Sequence, residues 1–447
     1  MQTILHRLIA RSILLFLTVL LYSCLGDNDE AQHPSIAIRQ IGITLTDIDA
    51  ADGTFEVQLR NTQTGSVFMQ STDTTGHVLF SVSPGIYEAS SSKALRRGAN
   101  SIQIFNGVSG QIVLADDTPT EVMMKMSRST VNQLVIKELY NGGVMKDDGK
   151  AFMSDKCFII YNNSEYDAAF DNLCVGFCAP YNSQANNRWY GSDGKLVYDA
   201  EGYIPAIDGI WYFPDTLRLA PYTQVVVNCH GAIDNTLTYP NSVNYAHAEY
   251  YCMYDPEAGY VNASYYPTPA SVIPTSHYLK AVKLGVSNAW ALSTSSPAFF
   301  LFQVQGTTPR DYATNVVNMT YVPYSAQTDV NKVLKIPVEW IVDGMEVFAA
   351  GYKDSNMKRL TATVDAGYIE LTNQHGHSLY RNVDLEATRQ LPENEGKLVF
   401  DYGLGSDPSG IDAEASLKNG AHIVYMDTNN SSADFHERQQ CSLRTKE

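Results

Sequence analysis

Cysteine and histidine side chains in the middle of the chain are the first residues whose types suit a chemical site. Cys174 and Cys178 lie four positions apart, and Cys229 is followed directly by His230. Thiolate and imidazole together are ligands that zinc and copper(I) favour. Structural zinc sites use closer paired spacings than these. We therefore predict no metal site, and these four residues are the candidates from which one would be built.

Disulfide bonds are a second use for the thiols. Core thiols, a Cys174–Cys178 bridge and a Cys229–Cys252 bridge are the alternatives to a metal, and six cysteines allow fifteen pairings. The sequence leaves the pairing open. The six cysteines in question are Cys157, Cys174, Cys178, Cys229, Cys252 and Cys441.

Familiar catalytic patterns are missing from the sequence. It contains no Gly-x-Ser-x-Gly elbow, no His-Glu-x-x-His zinc helix and no phosphate-binding glycine loop with lysine. Carboxylates are plentiful, but the sequence selects no acid–base pair among them. Asp343, Asp365 and Asp427 are expected to cap turns and accept bonds from backbone amides. We predict no catalytic residue, no cofactor and no enzymatic activity.

A tyrosine-rich segment, residues 180–278, is the more promising binding surface. It holds fifteen of the 28 tyrosines, and long loops of this kind are usually functional. Aromatic rings supply contact area at low entropy cost and stack on sugars and peptides. Adjacent residues of a strand face opposite sides, so about half of these rings are expected in the core. The ligand-binding candidates are Trp189, Tyr190, Trp211, Tyr212, Tyr250, Tyr251, Tyr265 and Tyr266.

Strands must position these side chains. Apolar residues alternate with polar ones around Val57 and around Phe80, which predicts half-buried strands, and residues 158–161 form a continuous apolar run typical of a buried strand. Only residues 384–389 and 412–418 favour short helices. The predicted fold class is therefore mostly β, with an N-terminal β-sandwich over residues 35–128. A larger β-sandwich domain with long loops follows over residues 129–447.

The start of the chain predicts export. Residues 13–21 are apolar apart from Thr18 and follow Arg7 and Arg11. Nine residues of helix rise about 13 Å, too short to span a bilayer, so residues 1–23 are predicted to be a signal peptide. Its end resembles a bacterial lipobox, in which Cys24 becomes lipidated. An ordinary secreted protein with an incidental Cys24 is the alternative.

Charge restricts the partners. The formal net charge is −17, and a chain this acidic is repelled by nucleic acid, so no nucleic-acid partner is expected. Residues 24–34 form an acidic tether that resembles the surface-export signal of Bacteroidetes lipoproteins, with a solvated spacer as the alternative. Thr74 and Thr216 each follow an aspartate and look like the O-glycosylation sites of such exported proteins.

Several blocks resemble known families. Residues 75–87 resemble a prealbumin-like, carboxypeptidase-regulatory-like β-sandwich, and residues 133–228 resemble a lamin-tail-like, immunoglobulin-type sandwich. Residues 336–345, 358–367 and 427–435 are similar to the signature blocks of an uncharacterised Bacteroidetes outer-membrane lipoprotein family, a domain of unknown function.

The lipid anchor, the acidic tether, the mostly β build and the aromatic loops predict a non-enzymatic lipoprotein exposed on the cell surface. The family resemblance implies that it is held to the outer membrane by its N-terminal lipid. It further implies an accessory of a TonB-dependent transporter, which captures a nutrient or docks on the receptor, with the ligand unknown. The alternatives are a surface hydrolase acting on glycans or peptides, and an adhesin or structural surface protein.

Lipidation of Cys24 is directly testable. Mass spectrometry of the protein from its own host should find fatty acid on Cys24, since the lipobox resemblance makes this cysteine the first residue of the mature chain. Cys24→Ala should abolish the modification and release the protein from membranes. Unmodified Cys24, or wild-type protein free in the cytosol, would contradict the prediction.

Overall fold

A computed structural model describes residues 38–96, 102–115, 120–131, 133–352, 355–372, 375–400 and 407–444. The predicted signal peptide, Cys24 and the acidic tether lie outside the described residues. Strands account for 37% and helices for 11% of the structure, which confirms the mostly β prediction. None of the helices in the described part of the chain is long and apolar enough to cross a membrane.

The N-terminal unit is a sandwich of two sheets. One sheet has the strand order β4-β1-β8 and the other β3-β2-β5-β6-β9, with β7 paired to β5. Alternate residues of the strands, such as Ile41, Leu59 and Phe80, meet in one buried core between the sheets. The strands are β1 (Arg39–Thr46), β2 (Glu56–Asn61), β3 (Val67–Ser71), β4 (His77–Val82), β5 (Gly85–Arg96), β6 (Ile102–Val108), β7 (Ile112–Leu114), β8 (Thr120–Lys125) and β9 (Ser127–Val131).

The junction between the two units falls after β9. This strand pairs antiparallel with β6 and so still belongs to the first unit. The predicted boundary at residue 128 therefore lies inside β9. The next strand, β10 (Leu134–Tyr140), starts the second unit.

One large sheet of twelve strands builds the second unit. Its strand order is β24-β23-β20-β13-β15-β19-β18-β17-β11-β10-β25-β26. The further strands of this sheet are β11 (Cys157–Asn162), β13 (Leu173–Phe177), β15 (Gly209–Tyr212), β17 (Gln224–Asn228), β18 (Tyr251–Met253), β19 (Tyr278–Lys283), β20 (Ala298–Gln303), β23 (Ile341–Ala349), β24 (Ile369–Leu371), β25 (Ser378–Arg381) and β26 (Phe435–Arg438).

The large sheet curls until its two edge strands meet and the sheet is nearly closed. The backbone N–H of Thr372, next to β24, donates to Glu437 of β26 at 2.6 Å. The curled sheet encloses the main core, in which Phe158, Trp211 and Phe299 are fully buried. Further cores cover its outer face, so strands such as β10 and β11 are buried on both faces along their whole length.

Two small sheets, four short α-helices and several single-turn 3-10 helices complete the second unit within the described residues. β12 (Ala168–Phe170) pairs with β16 (Leu217–Leu219), and the remaining sheet consists of β14 (Tyr203–Ala206), β22 (Lys332–Pro337) and β21 (Met319–Tyr321). The helices are α1 (Pro309–Thr314), α2 (Leu385–Gln390), α3 (Ala413–Lys418) and α4 (Ser431–Asp434).

The two predicted short helices are confirmed, and their N-terminal caps explain why they begin where they do. The side chain of Asp384 accepts from the backbone of Ala387, and that of Asp412 accepts from Ala415. Each carboxylate satisfies a free N–H group of the first helical turn.

A buried ion pair fixes the loop that follows β23. The guanidinium of Arg359 donates to Glu346 at 2.9 Å and 2.7 Å, and neither side chain is exposed to solvent. The second Glu346 oxygen accepts the backbone N–H groups of Arg359 and Leu360, both at 2.7 Å. Arg359 also donates to backbone carbonyls, including that of Ser296 at 2.9 Å. Both charges are thus fully hydrogen-bonded inside the protein.

Removing one partner should be costly. Glu346→Gln leaves the Arg359 charge buried without compensation, and we expect the free energy of unfolding of the larger unit to fall by about 3–5 kcal/mol. Urea unfolding followed by tryptophan fluorescence measures this, since all four tryptophans lie in that unit.

Asp329→Asn is the matched control. Asp329 forms an exposed ion pair with Lys332, and the midpoint of unfolding should not move. Equal effects of the two substitutions would contradict a stabilising role for the buried pair.

Candidate functional site

The eight aromatic candidates occupy three separate places. Trp189 and Trp211 are 3% and 0% exposed, whereas the other six rings are half-buried. The structure therefore divides the tyrosine-rich segment between core and surface. The pairs do not form one continuous face.

Trp189 and Tyr190 belong to a core outside the large sheet. The Trp189 ring packs edge-on against Tyr198 and Tyr203, with ring centroids 5.4 Å and 6.5 Å away. The hydroxyl of Tyr190 donates to the carbonyl of Lys358 at 3.2 Å. Both contacts are internal, so this pair stabilises the fold.

Tyr250 and Tyr251 each contact a histidine. Tyr251 stacks on His277 with ring centroids 4.0 Å apart and also contacts the tilted ring of Phe213. Tyr250 packs at a tilt against the exposed His247, with centroids 4.7 Å apart. One face of the Tyr251 ring is thus covered by His277.

Trp211, Tyr265 and Tyr266 form the third group. Trp211 stacks on Tyr260, with centroids 5.6 Å apart, and Tyr266 packs against both rings. The hydroxyl of Tyr266 accepts the backbone N–H of Trp290 at 2.9 Å. Tyr212, the neighbour of Trp211, points to the opposite face of β15, as alternation requires.

His230 lies beneath Tyr265 and Tyr266 and is the most unusual group in this region. The ring centroids are 5.0 Å and 6.2 Å apart, and His230 is only 1% exposed. Neither ring nitrogen makes a hydrogen bond of regular geometry to the described residues, although the backbone of Ser154 lies close to the ring. Burial lowers the pKa of His230 well below its usual range, assisted by the nearby Lys156 charge. A buried neutral imidazole without a regular hydrogen bond is uncommon in native proteins.

Lys156 and Asn141 are buried polar residues that bond to the neighbouring carbonyls of Leu292 and Ser293. The ammonium of Lys156 donates to the carbonyl of Leu292, and burial lowers its pKa to about 8. Asn141 donates to the carbonyl of Ser293 at 2.9 Å, while its own side-chain oxygen has no partner. We call His230, Lys156, Asn141, Tyr265 and Tyr266 the His230 site.

Strand ends position the His230 site. Asn141 follows β10, Lys156 precedes β11 and His230 follows β17, so antiparallel pairing brings all three to one end of the sheet. The side chain of Asn228 holds the last two together. It donates to the carbonyl of Lys156 at 3.0 Å and accepts the backbone N–H of His230 at 2.9 Å.

A loop covers the site. Residues 254–274, here the covering loop, contain neither helix nor strand and carry Tyr265 and Tyr266. The loop backbone touches the sheet end at Gly231, where an added Cβ would lie 1.8 Å from the carbonyl oxygen of Pro267. Only glycine permits this approach.

The chemistry of the His230 site is that of hydrogen bonding beside an aromatic surface. Lys156 has donors beyond its bond to Leu292, neutral His230 has one donor and one acceptor, and Asn141 has a free acceptor. Half-buried tyrosine rings lie above them. This combination suits a polar ligand with a flat face, such as a sugar.

Sequence reasoning found parts of this site for different reasons. His230 was a metal candidate, and Tyr265 and Tyr266 were ligand candidates, but Lys156 and Asn141 were missed. The sequence feature that could have pointed to this site is Lys156 itself, because it is a charged residue directly before the apolar run of β11.

The other metal candidates do not converge on His230. Cys174 and Cys178 pack in a core outside the large sheet, whereas Cys229 packs in the core that it encloses. Among the described residues, no three histidine, cysteine or acidic side chains are grouped to hold a metal ion.

Strand geometry also keeps the two cysteines of each disulfide pair considered above apart. Four residues of extended chain span about 13 Å between Cys174 and Cys178, and a disulfide needs Cα atoms within about 7 Å. Cys252 is in register with Asn228 and packs outside the large sheet, on the face opposite Cys229.

The glycosylation candidates have different surroundings. Thr74 is exposed in the turn after β3, whereas the hydroxyl of Thr216 is half-buried and donates to Asp171.

The aspartates of the three blocks that resemble family signatures accept hydrogen bonds from buried groups. Asp365 accepts backbone N–H groups of Glu346 at 2.7 Å and Ser431 at 2.8 Å, and Asp343 accepts those of Ile136 and Gly344, as predicted for both. Asp427 instead accepts from the guanidinium of Arg381 at 3.2 Å.

Three aspartates surround Arg381. Asp343, Asp427 and Asp434 all form ion pairs with its guanidinium, and all four side chains are at most 7% exposed. Burial raises the pKa of Asp434 to about 6. Burial also raises the pKa of Asp427 well above its usual range, and the charges of Asp343 and Asp434 add to this effect. Ionisation of Asp427 and Asp434 is therefore unfavourable in the folded protein.

Comparison with known proteins gives a family match but no function. Residues 220–401 match a family described as a protein of unknown function (DUF4876). No curated protein matches the chain.

A solved structure shares the fold. The crystal structure of a DUF4876 family protein from Bacteroides thetaiotaomicron VPI-5482 is similar, with a TM-score of 0.51 and 18% sequence identity over 89% of this chain and 94% of that chain. At this identity the similarity concerns the fold alone. The predicted resemblance to a family of unknown function is confirmed at that level.

The aspartate cluster should give an unusual pH dependence. Because the pKa of Asp434 is raised in the folded state, its contribution to stability is fully present below the unfolded value of 3.8 and is lost as pH rises through about 6. Asp434→Asn removes this loss. The stability of the variant relative to wild type should therefore rise by about 3 kcal/mol between pH 3.5 and pH 8, using ~1.4 kcal/mol per pKa unit.

Urea unfolding at a series of pH values measures that difference. Ser432→Ala, a neighbouring change that adds or removes no titrating group, should show a constant difference from wild type. A flat profile for Asp434→Asn would refute the raised pKa.

Proposed function

We propose that this protein is a non-enzymatic, lipid-anchored lipoprotein of the outer membrane surface that captures a sugar-type ligand at the His230 site. It delivers this ligand to a TonB-dependent transporter on which it docks. The ligand offers a ring face to Tyr265 and oxygen atoms to Lys156, His230 and Asn141.

The single observation that carries the ligand proposal is the buried imidazole of His230, whose ring nitrogens make no hydrogen bond of regular geometry to the described residues. Leaving a buried polar group without a hydrogen bond costs about 1–3 kcal/mol, so such a group in a native protein calls for a reason. A ligand that bonds to His230 when the covering loop opens supplies one. The buried Lys156, whose charge acts on His230, supports the same interpretation. So does the free side-chain oxygen of Asn141, which lies at the same end of the sheet.

The proposed cell-surface location and the proposed transporter partner are supported by the sequence and not by the His230 site. The lipobox-like end of the signal segment and the acidic tether support a lipid anchor at the cell surface. The link to a TonB-dependent transporter comes from the family resemblance alone. Pull-down of the lipidated protein from host outer membranes tests it, and the absence of any receptor would count against docking.

Ligand binding is tested by fluorescence titration. Trp290 contacts the hydroxyl of Tyr266 through its backbone, and Trp211 packs on the same ring, so ligand entry should change tryptophan emission. The probes are neutral oligosaccharides, the corresponding sugar acids and short peptides. We expect saturable binding of a sugar, and Tyr265→Ala or His230→Ala should weaken it about tenfold, as ~1.4 kcal/mol of lost stacking or hydrogen bonding implies.

Tyr251→Ala is the matched control, since it removes a half-buried ring from a different aromatic group. It should bind the sugar as wild type does. Equal binding by all variants, or binding of peptides only, would contradict the proposal. Cleavage of an oligosaccharide probe would instead favour the surface hydrolase.

A further inference from the structure

Cys157 and Cys441 come from distant parts of the chain, and both thiols are free in the structure. Cys157 starts β11, and Cys441 follows β26 near the end of the chain. Both are 0% exposed and belong to the same core on the outer face of the large sheet. Cys157 pairs with Tyr140 of β10, and Glu138, two residues earlier on the same face of β10, accepts from the backbone of Ser442, so Cys441 lies beside Cys157. Burial and the neighbouring Cys157 raise the pKa of Cys441 well above its usual range. The other cysteine pairs considered above lie apart along a strand or on opposite faces.

Hydrogen bonds on both sides hold Cys441 in this position. The backbone N–H of Ser442 donates to Glu138 at 3.0 Å, and the Ser442 hydroxyl donates to the other carboxylate oxygen. On the other side, the hydroxyl of Ser378 donates to the carbonyl of Gln440 at 3.2 Å. These hydrogen bonds therefore fix the position of Cys441 on the outer face of the large sheet.

We propose that Cys157 and Cys441 form a disulfide when the protein folds in an oxidising compartment. The inference rests on the export assumed in the proposed function. The bond fastens the C-terminal residues to β11 and closes a loop that contains almost the whole larger unit. Closing so long a loop restricts the unfolded chain and so stabilises the folded one.

The reaction needs a disulfide co-reactant. One cysteine thiolate attacks a sulfur of a small-molecule or protein disulfide, whose second sulfur leaves as a thiolate. The other cysteine, after losing its proton, attacks the resulting mixed disulfide and releases the second thiolate of the co-reactant. Two protons and two electrons leave the protein, and the co-reactant is reduced to two thiols. Because both sulfurs are buried, exchange occurs before the C-terminal residues dock, and the finished bond is shielded from reductants.

The test compares two preparations of the full chain. One is isolated from its own host, and the other is reduced, unfolded and refolded with oxidised glutathione. Alkylation in denaturant should find two fewer thiols than in fully reduced protein. Peptide mass spectrometry without reductant should find one cross-linked species, which joins the peptides of Cys157 and Cys441. The oxidised protein should melt several degrees above the reduced one.

Matched variants locate the bond. Cys441→Ser should restore both thiols, whereas Cys252→Ser, a change in the same core, should leave the cross-link intact. Thiol counting on wild type decides the question even if a variant fails to fold. No cross-link after refolding, or a different pairing, would overturn the proposal.

A bond that forms on refolding but is absent from host protein would overturn it for the protein in the cell. Neither result depends on ligand binding, so failure here is distinguishable from failure of the proposed sugar site.

Discussion

Arg381 joins the two layers of the curled sheet, and the rest of the larger unit depends on that connection. A register shift in the pairing of β10 and β11 lies directly after Ile136. The carbonyl of Ile136 accepts from Arg381 at 2.8 Å, and its N–H donates to Asp343 of β23. Arg381 in turn donates to Asp343, so strands of opposite layers share one buried ion pair. Because an uncompensated charge would be costly there, the layers hold one arrangement.

Local sequence pattern was sufficient for much of the secondary structure. The apolar run at residues 158–161 became β11, and the aspartates at 384 and 412 cap the helices that they were expected to begin. These features depend on neighbours within a few positions, which is the range over which alternation and capping operate. The mostly β prediction followed from the same short-range signals.

Strand order and the candidate site could not be read in this way. β25 and β26 come from the end of the chain yet pair beside β10, and no short-range pattern encodes that register. Lys137, a charged residue within β10, is buried, and Glu414 from α3 lies 2.6 Å from its ammonium. Likewise Asn141, Lys156 and His230 meet only because three strand ends coincide. The sequence did identify the aromatic pairs as candidates. It could not show which of these rings lie over His230, because that depends on the path of the covering loop.

The two edge strands of the large sheet, β24 and β26, lie next to each other, so the described part of the sheet has no long unpaired edge. Glu437 of β26 accepts the Thr372 backbone N–H beside β24, a group that would otherwise project outward. Unpaired strand borders recruit strands from neighbouring molecules and begin aggregation. The curled sheet thus shortens the strand edge that a neighbouring molecule could pair with.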